Sequence, residues 1–172
     1  MAIKIGLIGC GGHGRQRLSK IMRNMQDLVI LVACSDTAMA SAKATASEDG
    51  YFNAYDNYMD MLEKEDLDAV VIALPHDLLK TATISALNAG LDVFVEKPAG
   101  VNSEEIIEII NIENKVNKSV MVGYCMRYNP ARESLKEFLR LKSVGEIIQI
   151  HGHKSGSQLD SWNAYMEHGG GQ

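Results

Sequence analysis

Three groups of residues in this sequence have types and spacings that can do chemistry. The first is Gly9-Cys10-Gly11-Gly12-His13-Gly14, which follows the apolar run Ile3-Lys4-Ile5-Gly6-Leu7-Ile8. Behind it, Leu18, Ile21, Met22 and Met25 recur at helical spacing. A strand, a glycine run and a helix in that order predict a phosphate-binding turn. Gly9 permits the tight turn, Gly11 lets backbone approach a pyrophosphate, and Gly14 allows close helix–strand packing. The amides and dipole at the helix start then hold the phosphate charge, with Gly12 and His13 in the same loop. The second group is Asp36, at the end of the next apolar run and 22 residues past Gly14. A carboxylate there accepts hydrogen bonds from both adenosine ribose hydroxyls and repels a 2′-phosphate. No basic residue follows immediately, so NAD is favoured over NADP. The bland alternative is a plain β–α turn with a solvated loop acid. The third group is Glu96-Lys97-Pro98, at the carboxyl end of a further strand, where such sheets bind their ligands. Lys97 there can donate to a substrate oxygen or, with a lowered pKa, exchange a proton. It can equally be a surface lysine paired with Glu96, and spacing leaves both readings open. Cys10, with no cation beside it in sequence, reads as a small filler.

The elements that must position these groups alternate in type. The run 28–34 is a second strand, an alanine-rich helix follows over roughly 39–47, and Ala69-Val70-Val71-Ile72-Ala73-Leu74 is a near-continuous apolar strand closed by Pro75. A helix with Leu79, Ala82, Thr83, Ala86 and Leu87 on one face stops at Gly90, and Val93-Phe94-Val95 leads into the Glu-Lys-Pro turn. Asn102 and Glu105 have capping-box spacing ahead of Ile106, Ile109 and Ile110, and Val120-Met121-Val122 ends the series. Strands apolar on both faces, alternating with helices, predict an α/β fold, a doubly wound parallel Rossmann sheet over residues 1–122. From residue 123 the pattern changes: a helix over 130–141 precedes 146–154, where Ile148, Ile150 and Gly152 alternate with polar residues as in a half-buried strand. One helix and one strand bury no core of their own, so 123–172 reads as the beginning of a second, α+β domain.

Composition narrows the function classes. Seventeen basic against 22 acidic residues give a net charge of −5, with no basic excess for nucleic acid. Cys10, Cys34 and Cys125 are far apart, the start carries no signal-peptide pattern, and no apolar run reaches the ~18 residues of a membrane span. The expectation is a cytoplasmic protein without a membrane partner. His151 and His153 share a strand face but lack a third ligand at matching spacing, so no metal is expected.

Gly9-x-Gly11-x-x-Gly14, Asp68-Ala69-Val70-Val71-Ile72-Ala73-Leu74-Pro75 and Ala86-Leu87-Asn88-Ala89-Gly90 ahead of Val93-Phe94-Val95-Glu96-Lys97-Pro98 resemble the glucose–fructose oxidoreductase/inositol dehydrogenase/MocA (Gfo/Idh/MocA) family. Gly123-Tyr124-Cys125-Met126-Arg127-Tyr128-Asn129-Pro130 and Trp162 before Gly169-Gly170-Gly171 resemble its following blocks. The resemblance implies an NAD(P)-dependent oxidoreductase that moves a hydride between nicotinamide and a sugar, polyol or related hydroxyl or carbonyl. It implies a second α/β domain, often used for homo-oligomers. Lys97 would then be catalytic, holding the reacting oxygen, with Pro98 after a cis peptide. Leu74, Pro75 and His76, at the end of the 69–74 strand, join Glu96 as implied cofactor contacts. Arg127 would lie at the cofactor–substrate interface, with Tyr124 beside it, and Trp162 is a further substrate candidate that also fits a core or lid aromatic. His76 stands where the family often has Asn, and Leu79 where it often has His. The family's proton-relay pattern, D-x-G-x-H-x-x-D, usually follows a glycine run, but this sequence reads only to Gln172. These 172 residues are therefore expected to bind NAD(H) and to turn over poorly. The competing readings are a non-catalytic NAD(H)-binding sensor and an interaction module.

Overall fold

In a computed structural model of the chain, residues 2–142 and 145–153 are described. Contacts divide them into two units, one running to Gly123 and one beginning at Tyr124.

In the first unit, β1 (Ile3–Ile8), β2 (Val29–Ser35), β3 (Asn53–Tyr55), β4 (Ala69–Ile72), β5 (Asp92–Val95) and β6 (Val120–Val122) form one sheet in the order β3-β2-β1-β4-β5-β6. Every neighbouring pair is parallel. The chain winds outward in both directions from β1 and β4, so a crevice opens at their carboxyl ends. Helices α2 (Met39–Asp49), α3 (Tyr58–Lys64), α4 (His76–Asn88) and α5 (Ser103–Val116) cover the faces, with α1 beginning as a π-helical stretch, Gly14–Ser19, and continuing as Lys20–Arg23. Alternation along the strands supplies both cores. Ile8, Val70, Ile72, Val93 and Val95 join Met61 of α3, Leu79, Ala82, Ala86 and Leu87 of α4, and Ile109 of α5. On the other face Ile5, Leu7, Leu31, Cys34 and Val71 meet Met22 and Ala42.

The pairing of β1 with β2 carries a bulge. Ile5 faces Leu31, but Gly6 faces Ala33, so Val32 is an extra residue in β2. The bulge reverses the phase of the last residues of β2 and turns Cys34 toward the α1/α2 side. Nothing in the apolar pattern of 28–34 marks that reversal.

The expected elements form, with differences that have local causes. In α1 Met22 is buried and Leu18 half-buried, but Ile21 and Met25 are exposed and Ser19 is buried in their stead. The π-helical stretch turns less per residue than an α-helix, which rotates the inward face away from the α-helical spacing. In α5, Asn102 accepts from Glu105 N (2.9 Å), while Glu105 Oε2 accepts from Val101 N (2.9 Å), not from the Asn102 amide of a standard capping box. β3 and α3, of three and seven residues, are too short to show a period in the sequence. Asn57 caps α3 by accepting from Met59 N at 3.0 Å.

The second unit contains a 3₁₀ turn at Cys125–Tyr128 and α6 (Pro130–Arg140), whose start is fixed by Asn129 accepting from Ala131 N and Arg132 N at 3.1 and 3.3 Å. The strand expected over 146–154 is absent among its described residues. They form neither helix nor strand, and Ile148 is 98% exposed. A strand needs a partner ladder, and no neighbouring strand accompanies this segment among the described residues.

The core makes a direct prediction. Leu79 is fully buried at the centre of the larger cluster, so Leu79→Ala should lower the unfolding free energy in urea by about 2–5 kcal/mol.

Candidate cofactor-binding site

The glycine loop leaves β1 at Gly9, whose φ of 98° lies in the left-handed region. A Cβ on Gly9 would collide with the Ala73 carbonyl, and one on Gly14 with the Gly9 carbonyl oxygen. The first turn of α1 is thereby pressed onto the end of β1, close to the end of β4. Gly11 and Gly12 behave differently. A Cβ at either would meet no heavy atom within 4 Å, so the loop faces open space. Open space beside the start of a helix leaves room for a phosphate on its amides.

Asp36, one residue beyond β2, is tied to this loop. Its Oδ2 accepts from Cys10 N and its Oδ1 from Ala38 N, each at 2.9 Å. A carboxylate has about four acceptor sites, so both oxygens keep capacity for hydroxyl donors. Beneath the loop, Cys10 and Cys34 bury their thiols, and the neighbouring Cys10 thiol and burial together push the Cys34 thiol up. Cys10 Sγ also donates to Ser35 O at 3.5 Å. Arg15 is committed to Glu48, with Nε donating to Oε2 at 3.2 Å, and that bond holds the Glu48 carboxyl below its usual range.

Across β4, the Glu96-Lys97-Pro98 turn follows β5, and the Lys97–Pro98 peptide is cis. Glu96 is only 16% exposed at its side chain. It does not pair with the Lys97 ammonium. Its Oε1 meets His13 Nε2 at 3.0 Å, and its Oε2 accepts from Lys97 N at 3.2 Å. A Cβ on Gly123 would come within 3.0 Å of Oε1, so the backbone of residue 123 is packed onto this carboxylate. The Lys97 side chain is exposed and makes no ion pair among the described residues. Leu74 and Pro75 connect β4 to α4, where His76 is the first residue and is 4% exposed. Leu79, where the resembling family often has His, is a core residue.

The structure therefore gathers Gly9, Gly11, Gly12, His13, Gly14, Asp36, Leu74, Pro75, His76, Glu96 and Lys97 at the carboxyl ends of β1, β2, β4 and β5. Tyr124 and Arg127 belong to the second unit, where Arg127 N bonds Tyr124 O at 2.9 Å. Trp162 and the glycines 169–171 lie outside the described residues. The contact that sequence reasoning missed is His13 with Glu96, which are 83 residues apart. Its only sequence signal is that both follow strands of one parallel sheet.

Comparison with known proteins gives the same fold. Residues 3–124 match the Gfo/Idh/MocA oxidoreductase family, NAD-binding Rossmann fold. Inositol 2-dehydrogenase of Corynebacterium glutamicum is 27% identical over 167 residues, covering 96% of this chain and 49% of the relative. The chain thus spans about half the length of the curated relatives it matches. A crystal structure of myo-inositol 2-dehydrogenase from Lactobacillus plantarum superposes with a TM-score of 0.80 at 30% identity, covering 86% of this chain and 44% of that one. Scyllo-inositol dehydrogenase from Lactobacillus casei, with bound NAD(H) and scyllo-inositol, gives 0.79 at 26% identity, over 85% and 43%.

The two kinds of glycine should separate in a melt. Gly14→Ala, which drives a Cβ into backbone, should cost more than about 2 kcal/mol, whereas Gly11→Ala, in open space, should stay within about 0.5 kcal/mol of the parent.

Proposed function

The chain belongs to the Gfo/Idh/MocA oxidoreductase family, and from that premise we propose that it is the NAD(H)-holding half of an oxidoreductase acting on a sugar, polyol or related hydroxyl or carbonyl group. The observation that carries the cofactor reading is the bond from Cys10 N to Asp36 Oδ2. It fixes the ribose-binding carboxylate against the phosphate-binding loop, beside the crevice where strand order reverses.

The residues fit the group. The space beside Gly11 and Gly12 is open and leaves room for phosphates, which the amides at the start of α1 hold. Asp36 accepts from two ribose hydroxyls, and its charge, followed by Thr37 and Ala38 with no cation between, disfavours a 2′-phosphate. NAD is therefore the preferred cofactor over NADP. Its nicotinamide supplies the hydride acceptor or donor. Lys97, exposed at the carboxyl end of β5 and unpaired with Glu96, donates a hydrogen bond to the reacting oxygen and positions it. Arg127 and Tyr124 serve at the substrate side, as the family resemblance implies. The inositol dehydrogenases among the similar proteins support a polyol as substrate. Proton exchange with the hydroxyl needs a base beyond Lys97, which in this family lies in a pattern following the region of residues 169–171. A homo-oligomer built through a second domain completes the reading.

Titration of NADH fluorescence tests the cofactor assignment. Saturable binding should weaken at least about tenfold in Asp36→Ala and in Gly11→Ala, and NADPH should bind at least about tenfold more weakly than NADH to the parent. Absence of saturable NADH binding by the parent would remove the reading. For the chemistry, in a chain that carries the second domain, NAD⁺ reduction with myo-inositol should fall about 10²-fold or more in Lys97→Ala, at NADH affinity within about twofold.

A further inference from the structure

The contact between His13 and Glu96 has a place in the fold that its sequence separation hides. His13 lies in the first turn of α1, in the loop that follows β1, and Glu96 follows β5. In the sheet, β4 separates these two strands, so they stand about 10 Å apart at two strand spacings. The 3.0 Å contact therefore reaches across the carboxyl end of β4, over the crevice. The two partners are anchored unequally. The imidazole is 48% exposed, whereas the carboxylate is 16% exposed and packed under Gly123, with its second oxygen on Lys97 N. Glu96 N is itself held by Ile72 O at 2.9 Å. Glu96 is thus the fixed hub, His13 the arm that reaches it, and Lys97 the neighbour whose backbone the hub holds.

Resting on the cofactor reading above, we propose that His13 is a positioning residue. Through Glu96 it ties the phosphate-binding loop to the Lys97 turn and sets the nicotinamide half of the site. The adenosine half lies on the other side of β1, with Asp36 after β2, and has its own tie through Cys10 N. A dinucleotide spans both halves, a mononucleotide only the Asp36 half. Loss of the His13 arm therefore acts on NADH and spares AMP. A residue that merely kept the loop folded would act on both.

The test compares NADH and AMP affinities, by fluorescence titration and calorimetry, for the parent chain, His13→Ala, His13→Gln, Glu96→Ala and the double alanine variant. His13→Ala should weaken NADH about three- to tenfold and leave AMP within about twofold, the loss of one charge-assisted hydrogen bond at a half-exposed site. His13→Gln, whose amide can donate to Oε1, should restore NADH to within about twofold of the parent. Glu96→Ala should match or exceed His13→Ala, and the double variant should be no weaker than Glu96→Ala, because the arm without its hub has nothing left to lose. Thermal midpoints compared across the set identify folded variants, and either single variant alone suffices for the NADH-to-AMP comparison. Equal loss on both ligands, or no loss on NADH, overturns the positioning role while the parent's NADH binding stands. Absence of parent NADH binding overturns the cofactor reading, and the role with it.

Discussion

The site depends on one carboxylate. Asp36 joins the end of β2 to the turn after β1 by accepting from Cys10 N, and joins itself to the start of α2 by accepting from Ala38 N. Hydrogen bonds to an ionised acceptor are about twice as strong as neutral ones, and each also satisfies an amide that would otherwise stand open in a turn. Four of the six loop residues are glycines, with no side chains to hold the turn's shape. Steric exclusion at Gly9 and Gly14 states where it cannot go, and Asp36 holds it where it is. Any charge brought to the start of α1 meets a loop already set, so ligand binding need not supply the ordering cost.

That placement depends in turn on the bulge in β2. With regular pairing, Leu31 opposite Ile5 would put Val32 opposite Gly6. The extra residue moves Ala33 there and turns the following side chains over. Ala33 packs toward the α3/α4 side, with Cys34 toward α1/α2 beside Cys10. Small residues on both faces, Gly6 and Ala33 toward one and Cys10 and Cys34 toward the other, let the two strand ends approach. A Cβ on Gly6 would already crowd Leu67 and Met61.

Much of this was legible in the sequence, and the reasons differ by element. β4 and β5 are short apolar runs with punctuation at both ends, and α4 repeats its small and aliphatic residues at helical spacing to Gly90, so period and stop signals agree. The Gly9 turn, Asp36 and Lys97 were legible because strand–turn–helix order places them at strand ends without any knowledge of side-chain contacts. Three things were not. Ser19 is buried where Ile21 was expected because a π-helical stretch has another period. The bulge left no mark because Val29–Ser35 is apolar in either phase. Residues 146–153 have the alternation of a strand, but pairing partners are a tertiary property that alternation does not contain.

The buried Ser19 shows why the period changes where it does. Its hydroxyl donates to Asp49 Oδ2 at 2.5 Å and lies 3.2 Å from the Tyr51 hydroxyl, whose ionisation burial opposes. The Asp49 carboxylate is fully shielded from solvent, with Arg23 at 3.5 Å from its other oxygen. Burying a carboxylate between two helices is costly, and an apolar pair of similar volume would serve stability as well or better. What the polar cluster adds is position. An apolar contact tolerates sliding, whereas Ser19 of α1 and Asp49 at the end of α2 meet in one register only. Arg15 to Glu48 and Arg23 to the Glu48 carbonyl repeat that register on the exposed side. The helix whose first turn carries the glycine loop is thus fixed along its axis from below, by polar groups, while Asp36 fixes the loop from the side. A π-helical stretch, by rotating a serine inward, is what makes the lower of these two constraints possible.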